Sequence, residues 1–207
     1  MRPPPDDTFE RAGRASGARR IAGVDEVGRG PIAGPVFAAA VCLDAGAVPP
    51  GLADSKQLAA KRRAGLAAAL RDSADIAIGR AEVEEIEALN ILQASHLAMR
   101  RALIALPAPP DLALIDGNRL PADLPCRAEA ITGGDARSVS IAAASIVAKV
   151  ARDALMAELA AVHPGYGWER NAGYPTSEHR RALLYMGPTP HHRRSFRTLR
   201  NMLYQEN

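Results

Sequence analysis

The feature that most constrains the fold is a loop rich in glycine and proline, residues 28–35 (GRGPIAGP), here called the glycine loop. It joins two apolar segments, residues 21–26 (IAGVDE) and residues 36–43 (VFAAAVCL). Short apolar runs bounded by glycine and proline are typical of buried β-strands. The first run ends in the adjacent acids Asp25 and Glu26, so the chain must form a sheet in which two carboxylates lie beside the loop.

The glycine loop resembles loops that bind the pyrophosphate of dinucleotides, but its neighbours argue against that role. Gly28, Gly30 and Ala33 satisfy the pattern G-x-G-x-x-A after a strand. Pro35 would fall inside the helix that such a loop opens, where proline removes a hydrogen bond and clashes. The two preceding acids would also repel a pyrophosphate. Divalent cations remove this conflict, because Mg²⁺ or Mn²⁺ can bind carboxylates and phosphate together.

Strand-like and helix-like segments alternate along the rest of the chain, as in an α/β domain. Further strands are predicted at 75–81, 112–117 and 126–131, and helices at 57–71, 83–106, 138–162 and 177–185. The first three strands could form a meander. The segment 138–162 is rich in alanine, and its small side chains would let a long helix lie close to the sheet.

The composition indicates one globular domain. The chain has 207 residues, of which 47% are hydrophobic and 24% charged, enough for a sizeable core. We expect a loose N-terminal arm at 1–20, a main domain at 21–162, and a basic extension at 163–207 packed on the same domain.

Neither targeting nor assembly signals are evident in the sequence. No apolar run is long enough to span a membrane, and Cys42 and Cys126 have no CxxC partner. We therefore expect a cytoplasmic protein with reduced thiols and no membrane partner. No sequence feature demands an oligomer, and we expect a monomer.

Positive charge is concentrated near the C-terminus. The formal net charge is only +3, yet residues 163–200 hold seven arginines and two glutamates, interleaved with Tyr166, Trp168, Tyr174 and Phe196. Such a surface is typical of a nucleic-acid groove, where cations contact phosphates and rings stack on bases or sugars. A solvated surface has the same composition, and the composition leaves both interpretations open.

Two further acids stand where predicted elements end. Asp116 closes the buried run LALID, and Asp135 precedes the long helix in TGGDARS. Carboxylates at strand ends can hold divalent metal ions, so both residues are candidate ligands together with Asp25 and Glu26. A helix cap is the alternative role for Asp135, and a turn is the alternative for Asp116.

Asp153 is a rival ligand that the spacing excludes. It lies 18 residues beyond Asp135, which is roughly 27 Å along a helix that rises about 1.5 Å per residue. Lys149 lies one turn before it and Arg152 beside it, so we expect Asp153 to form an ion pair.

Six motifs resemble, in order, those of the bacterial ribonuclease HII family, the type 2 ribonucleases H. They are VDEVGRGPIAGPV, ADSKQL, LIDGN, GDARSVSIAAASIVAKVARD, NAGYPTSEH and HRRSF, and they span about residues 21–197. Type 3 enzymes usually carry GKG where this chain has Gly28-Arg29-Gly30, and they have a sizeable extra N-terminal domain. The resemblance is therefore to type 2.

The resemblance implies an α/β, ribonuclease H-like fold, in which helices flank a mixed five-stranded sheet and a helical C-terminal extension follows. It implies that 21–162 is the catalytic domain. The implied catalytic acids, which are also the implied ligands of Mg²⁺ or Mn²⁺ with two ions expected when substrate is bound, are Asp25, Glu26, Asp116 and Asp135.

The resemblance also implies the reaction. The enzyme would hydrolyse the RNA strand of RNA–DNA hybrids and would cut 5′ to single ribonucleotides embedded in duplex DNA. The products would carry 3′-hydroxyl and 5′-phosphate ends, as ribonucleotide excision repair and DNA replication require.

Substrate contacts follow from the same motifs. The resemblance places Gly28, Arg29 and Gly30 against the ribonucleotide 2′-hydroxyl and Tyr174 on the sugar that follows. Arg193 and Arg194 of the basic face are candidate phosphate contacts, and their alternative role is to pack the extension onto the domain.

Two adjacent acids on one strand raise a geometric question, because successive residues of a strand face opposite sides. We expect Asp25 to offer its carboxylate and the strand to end or bend at Glu26, whose backbone carbonyl could bind a metal. The family often has lysine where this chain has Gly133 and Ala172, which bears on substrate affinity rather than on the chemistry.

Other functions stay open from the residues alone. A nucleic-acid-binding module would need the basic face but not the acids, and a different two-metal phosphodiesterase would ignore the ribose. The pair Ser55-Lys56 suggests a serine–lysine hydrolase, with helix capping as the alternative role for Ser55. The tail at 201–207 (NMLYQEN) is too ambiguous to assign a contact with a sliding clamp.

Overall fold

A mixed five-stranded sheet forms the centre of the computed structural model, which describes residues 3–44, 48–53, 55 and 58–203. The spatial order is β3-β2-β1-β4-β5, with β1–β2 and β2–β3 antiparallel and β1–β4 and β4–β5 parallel. The strands are β1 (Ile21–Val27), β2 (Val36–Leu43), β3 (Ala74–Ala81), β4 (Leu112–Asp116) and β5 (Arg127–Ile131). The predicted five strands and the opening meander are confirmed.

Helices cover both faces of the sheet. They are α1 (Thr8–Ala15), α2 (Ala60–Ser73), α3 (Val83–Leu89), α4 (Ile91–Ile104), α5 (Val139–Val162), α6 (Trp168–Asn171), α7 (Ser177–Met186) and α8 (Arg197–Leu203). One core packs α4 on the sheet, and a second packs α2 and α5 on the other face. Among the described helices, none combines the length and the apolar character needed to cross a membrane.

Two parallel neighbours, β1 and β4, place their carboxyl ends at the same edge of the sheet. Val24 pairs with Ile115, so the residues that follow, Asp25 and Asp116, stand side by side at that edge. The chain reaches this edge a third time in the turn Gly134–Ala136, directly after β5. The topology thus gathers acids that are far apart in the sequence.

The alanine-rich helix α5 lies very close to β1, as its small side chains predict. Ala142, Ala143 and Ala144 are fully buried. A Cβ placed on Gly23 would lie 2.1 Å from the carbonyl carbon of Ser140, so only glycine fits at this point of contact.

The prediction of a loose arm at residues 1–20 is wrong for Thr8–Ala15, which form α1. Glu10 on this helix is buried, and its carboxylate accepts hydrogen bonds from Ser138 and Ser140 at the start of α5. The sequence did not indicate this helix, because the partners that bury Glu10 lie more than a hundred residues away along the chain.

Two helix predictions need correction. The segment predicted as one helix at 83–106 is two helices, because Asn90 takes a positive φ of 72° and its side chain caps α4 by accepting the N–H groups of Leu92 and Gln93. The helix predicted at 177–185 is not the last one, since α8 follows it. Residues 204–207 of the tail lie outside the described part of the chain.

Ser55 is not the cap of α2, because that helix begins after Ala59. Instead the Ser55 hydroxyl accepts a hydrogen bond of 2.7 Å from Ser145 on α5. Its neighbour Lys56 lies outside the described residues, so the proposed serine–lysine pair cannot be placed.

The C-terminal part of the chain, from residue 163 to residue 203, packs on the glycine loop. Ile32 and Ala33 of the loop and Met156 of α5 share one core with residues of this segment, namely Tyr166, Trp168, Ala182, Leu183 and Leu199. The loop is therefore built as much by the C-terminal segment as by the strands that it joins.

Two glycine substitutions test the close packing of α5. We predict that Gly23→Ala lowers the free energy of unfolding by about 2–3 kcal/mol, because the added methyl group meets the backbone of α5. In the matched control, Gly65→Ala within α2, the new Cβ meets nothing within 4 Å, and stability should rise by about 1 kcal/mol. Urea unfolding of the two variants would contradict the packing if both changed stability in the same direction.

Candidate active site

Four acids lie around the edge of the sheet where β1 and β4 end. Asp25 on β1 is 6% exposed, and its carboxylate accepts the backbone N–H of Glu26 at 2.7 Å. Asp116 at the end of β4 accepts the backbone N–H of Gly134 at 2.7 Å, which ties the turn that carries Asp135 to the sheet.

The electrostatics show that these acids act on one another. Burial raises the pKa of Asp25 well above its usual value, and the charges of Glu26, Asp116 and Asp135 raise it further. Burial also raises the pKa of Asp116, with Asp135 as the second cause. The structure therefore brings all four predicted acids into one cluster of like charge.

One of the two alternatives predicted for Glu26 is wrong, because β1 does not end there. The strand continues to Val27, which pairs with Phe37 of β2. Glu26 follows the alternation of Ala22 and Val24, which pack towards α4, so its side chain leaves β1 on the opposite face from that of Asp25. Its side chain forms an ion pair of 3.1 Å with Arg29 of the glycine loop.

A cavity of about 110 Å³ opens beside Glu26 and Asp116. His96 and Met99 of α4 also line it, as does Arg119. Burial lowers the pKa of His96, and the charges of Arg29 and Arg119 lower it further. Sequence reasoning missed His96, since a single histidine in a helical run gives no functional signal.

The donor atoms of the cluster fit a divalent cation in kind. All four residues offer carboxylate oxygens, which Mg²⁺ and Mn²⁺ prefer, and their mutual repulsion is what a cation would relieve. As the side chains stand in the described residues, no three His, Cys, Asp or Glu groups are arranged to hold an ion.

The contacts around Asp135 and Asp153 test the alternative roles considered for them, a helix cap and an ion pair. Ser138, not Asp135, caps α5, since its hydroxyl accepts the N–H of Ile141 at 3.3 Å. Asp153 accepts a hydrogen bond of 2.7 Å from Lys149, which confirms the predicted ion pair. The second neighbour, Arg152, points elsewhere.

Arg152 is fully buried and binds the glycine loop. Its guanidinium donates to the carbonyls of Pro35 at 2.9 Å and Ala33 at 3.0 Å, and also to that of Ala172 at 2.9 Å. Gly28 is packed beneath the same side chain, because a Cβ there would lie 2.3 Å from the Arg152 Nε. Glycine at 28 is thus required by Arg152 and by its own positive φ of 97°.

Arg193 holds the same loop from the other side. It is fully buried and donates to the carbonyls of Gly34 at 2.8 Å, Pro31 at 2.8 Å and Arg29 at 3.3 Å. The prediction of Arg193 as a surface phosphate contact is therefore wrong in this structure, and its alternative packing role applies. Arg194, the next residue, is exposed.

The exposed face of the loop is formed by Arg29 and Gly30, with Tyr174 beside them. Tyr174 is 44% exposed, and its ring would lie 3.2 Å from a Cβ on Gly30. Gly133 and Ala172, where the family often has lysine, both adopt left-handed backbone conformations.

A chain of hydrogen bonds holds the backbone of Tyr174 in place. The carbonyl of Tyr174 accepts from Nδ1 of His179 at 2.9 Å, so that nitrogen carries the proton. Nε2 of His179 then accepts from Trp168 at 3.1 Å and from Nε2 of His192 at 3.0 Å. His192 in turn accepts the N–H of Thr189 at Nδ1, at 2.9 Å. The bonds that Nε2 of His179 and Nδ1 of His192 accept require both histidines to be neutral.

One signal could have revealed Arg152 in the sequence. Ser145, Ala148, Arg152 and Met156 follow one another at spacings of three and four, which puts them on one face of a helix. All four are buried, so the arginine lies on the core face of α5. From the sequence, we instead expected Arg152 to be a partner of Asp153 in an ion pair.

Comparison with known proteins identifies this arrangement. The family model described as Ribonuclease HII matches residues 22–199. The chain belongs to the ribonuclease HII family. It is 65% identical over 202 residues to a ribonuclease HII of Ruegeria pomeroyi, covering 98% of this chain and 86% of that protein.

Solved structures support the fold of the family. The crystal structure of ribonuclease H2 from Pyrococcus horikoshii OT3 superposes with a TM-score of 0.73 at 27% identity, covering 91% of this chain and all of the other. Bst-RNase HIII, solved with Mn²⁺, has a TM-score of 0.75 at 21% identity and shares the fold, covering 93% of this chain and 71% of the other. The predicted ribonuclease H-like fold is confirmed.

Membership establishes the general activity. Ribonuclease HII enzymes are metal-dependent ribonucleases H that act on RNA–DNA hybrids, and this chain is one of them. The alternative of a binding module without catalysis is thereby excluded.

Protonation of the buried histidines gives a pH prediction. Burial, with the nearby His179, lowers the pKa of His192 to about 3, whereas an unfolded chain takes up that proton near the ordinary value of 6.5. Stability is therefore full above pH 6.5 and falls as the pH drops below it. We predict that His192→Asn flattens the slope of unfolding free energy between pH 6 and 4 by up to about 1.4 kcal/mol per pH unit. Equal slopes for variant and wild type in urea titrations would contradict this.

Proposed function

We propose that the enzyme cuts duplex DNA 5′ to a single embedded ribonucleotide, as well as the RNA strand of hybrids. Water would attack the phosphorus, and the bond to the 3′-oxygen of the preceding deoxynucleotide would break, leaving a 3′-hydroxyl and a 5′-phosphate. The observation that supports this most directly is the glycine loop, which is held rigidly by Arg152 and Arg193 next to the four acids.

The exposed part of the loop is suited to sense one ribose. The 2′-hydroxyl is both a donor and an acceptor, and it is what distinguishes RNA from DNA at a given nucleotide. Gly30 has no Cβ, so a sugar can approach its backbone closely. Because Gly28 is buried beneath Arg152, direct reading falls to Arg29 and Gly30, with Gly28 shaping the turn.

Arg29 links recognition to the acids. In the structure it pairs with Glu26 at 3.1 Å. We propose that the phosphate at the RNA–DNA junction replaces Glu26 as the partner of Arg29, since arginine binds phosphate strongly. That exchange would free the Glu26 carboxylate for the metal site only when substrate is present.

Four residues would hold the metal ions: Asp25, Glu26, Asp116 and Asp135. Two ions are proposed in the substrate complex. When bound, Mg²⁺ or Mn²⁺ would activate the attacking water and stabilise the leaving 3′-oxygen. The burial of Asp25 keeps this carboxylate in a fixed place on β1.

Tyr174 would pack on the sugar that follows the ribonucleotide, next to Gly30. Arg194 is exposed on the same C-terminal segment and is proposed to contact phosphate. We propose that the enzyme acts as a monomer in the cytoplasm. Its activity would serve ribonucleotide excision repair and DNA replication. We propose no contact with a sliding clamp, because residues 204–207 of the tail lie outside the part of the chain that the structure describes.

A cleavage assay tests the proposal directly. A duplex with one ribonucleotide should be cut at its 5′ side in the presence of Mg²⁺ or Mn²⁺ and not without metal. Replacing that ribose by 2′-deoxy or 2′-O-methyl ribose should abolish cutting. Equal cleavage of an all-DNA duplex would contradict ribose recognition and would favour a general phosphodiesterase.

Variants of the loop separate recognition from metal binding. Gly30→Val should weaken binding of the single-ribonucleotide duplex while Mn²⁺ binding, measured by calorimetry, stays as in wild type. Tyr174→Phe should retain cleavage and Tyr174→Ala should slow it. If Tyr174→Ala were as active as wild type, Tyr174 would have no role in substrate positioning.

A further inference from the structure

Helix α1 lies outside the residues that match the family model, yet it reaches the edge of the active site. Its buried residue Glu10 lies at the start of α5. That helix begins at Val139, four residues after Asp135 of the turn Gly134–Ala136. Nothing in the proposed chemistry uses this carboxylate.

One oxygen of Glu10 gathers three hydrogen bonds at the first turn of α5. Oε1 accepts from the hydroxyl of Ser138 at 2.5 Å, from the hydroxyl of Ser140 at 2.6 Å, and from the backbone N–H of Ser140 at 3.0 Å. The first N–H groups of a helix have no partner within the helix, and a negative charge is favourable there. Glu10 thus caps α5 from another helix, in addition to the cap supplied by Ser138.

Backbone contacts reinforce the same junction. The carbonyl of Asp6 accepts the N–H of Val139 at 3.1 Å, and the N–H of Asp6 donates to the carbonyl of Arg137 at 3.2 Å. The guanidinium of Arg137 also lies over the ring of Phe9, 4.8 Å from its centre. The N-terminal segment is therefore joined to residues 137–140 at several points.

The turn that carries Asp135 is consequently held at both ends by carboxylates. Asp116 accepts the N–H of Gly134 at its beginning, at 2.7 Å. Glu10 binds Ser138 at its end, and Ser138 donates its own N–H back to the carbonyl of Gly134 at 2.8 Å. Asp135 lies between these two anchors, one on the sheet and one on α1.

We propose that Glu10 is a positioning residue for Asp135: it fixes the end of the turn so that Asp135 faces Asp25 and Asp116. This rests on the proposed metal role of Asp135. Loss of Glu10 would remove one of the two carboxylates that hold the ends of the turn. The acids would then have to be ordered when a metal ion binds, and the affinity for the ion would fall.

Calorimetric titration of the whole chain with Mn²⁺, together with amide hydrogen exchange of residues 134–140, tests the proposal. Glu10→Ala should bind Mn²⁺ about tenfold more weakly, the size of effect seen when the partners of metal ligands are removed. Exchange in the turn should become faster. Glu10→Gln keeps an oxygen that can accept the three bonds, and it should restore both properties towards wild type.

A control variant that is destabilised on the other face of the sheet separates positioning from general destabilisation. Leu103→Ala removes a buried side chain from α4, on the opposite face of the sheet from α5. This variant should unfold more easily but keep the Mn²⁺ affinity and the exchange rates of the turn. Equal losses in Leu103→Ala and Glu10→Ala would overturn the proposal, as would wild-type behaviour of Glu10→Ala.

Two further outcomes are decisive in their own right. If Glu10→Ala does not fold, Ser140→Ala removes one of the three bonds and should show a smaller loss of affinity with faster exchange; wild-type behaviour would overturn the proposal. If the wild-type chain does not bind Mn²⁺, the proposed function fails. In that case unchanged exchange of the turn in Glu10→Ala would separately refute its anchoring by Glu10.

Discussion

Two buried guanidinium groups, those of Arg152 and Arg193, hold the glycine loop in place. Between them they donate to the carbonyls of five of its residues, which are Arg29, Pro31, Ala33, Gly34 and Pro35, and to that of Ala172. Burial lowers the pKa of Arg152 to about 10 and, together with Arg152, that of Arg193 to about 9. Both therefore remain charged at neutral pH, and a buried charge is costly unless its hydrogen bonds are made. A loop with this many bound carbonyls has little freedom to change shape.

Helix α5 connects this loop with the turn that carries Asp135. Helix α5 begins beside the turn of Asp135, where Glu10 and Ser138 cap it, and it carries Arg152 further along the same axis. Close packing of α5 on Gly23 sets its distance from β1, which holds Asp25. Helix α5 thus contacts both the acids' end of the sheet and the glycine loop. Tyr174 is connected to the same helix through the bond from Arg152 to the carbonyl of Ala172, and its own carbonyl is bound by His179.

The local sequence pattern predicted the strands and the acids well. It missed residues whose contacts lie far away along the chain. The five strands follow from short apolar runs between glycine and proline, and Asp116 was placed correctly because a buried strand ended there. Arg193 was misjudged since its motif, HRRSF, has the composition of a surface. The residue packs against carbonyls some 160 positions earlier, a separation the pattern cannot express. Glu10 was missed for the same reason, and the end of β1 was predicted one residue too early because pairing with β2 extends the strand to Val27.

The central claim is that Arg152 shapes the loop that recognises substrate while the acids bind metal independently. The most direct test is Arg152→Lys, which keeps the charge but loses the planar set of donors that reaches three carbonyls. We predict that Mn²⁺ affinity stays at the wild-type value, while the dissociation constant for a single-ribonucleotide duplex rises about tenfold, equivalent to about 1.4 kcal/mol. Wild-type affinity for the duplex in Arg152→Lys, or an equal loss of Mn²⁺ binding, would contradict the account.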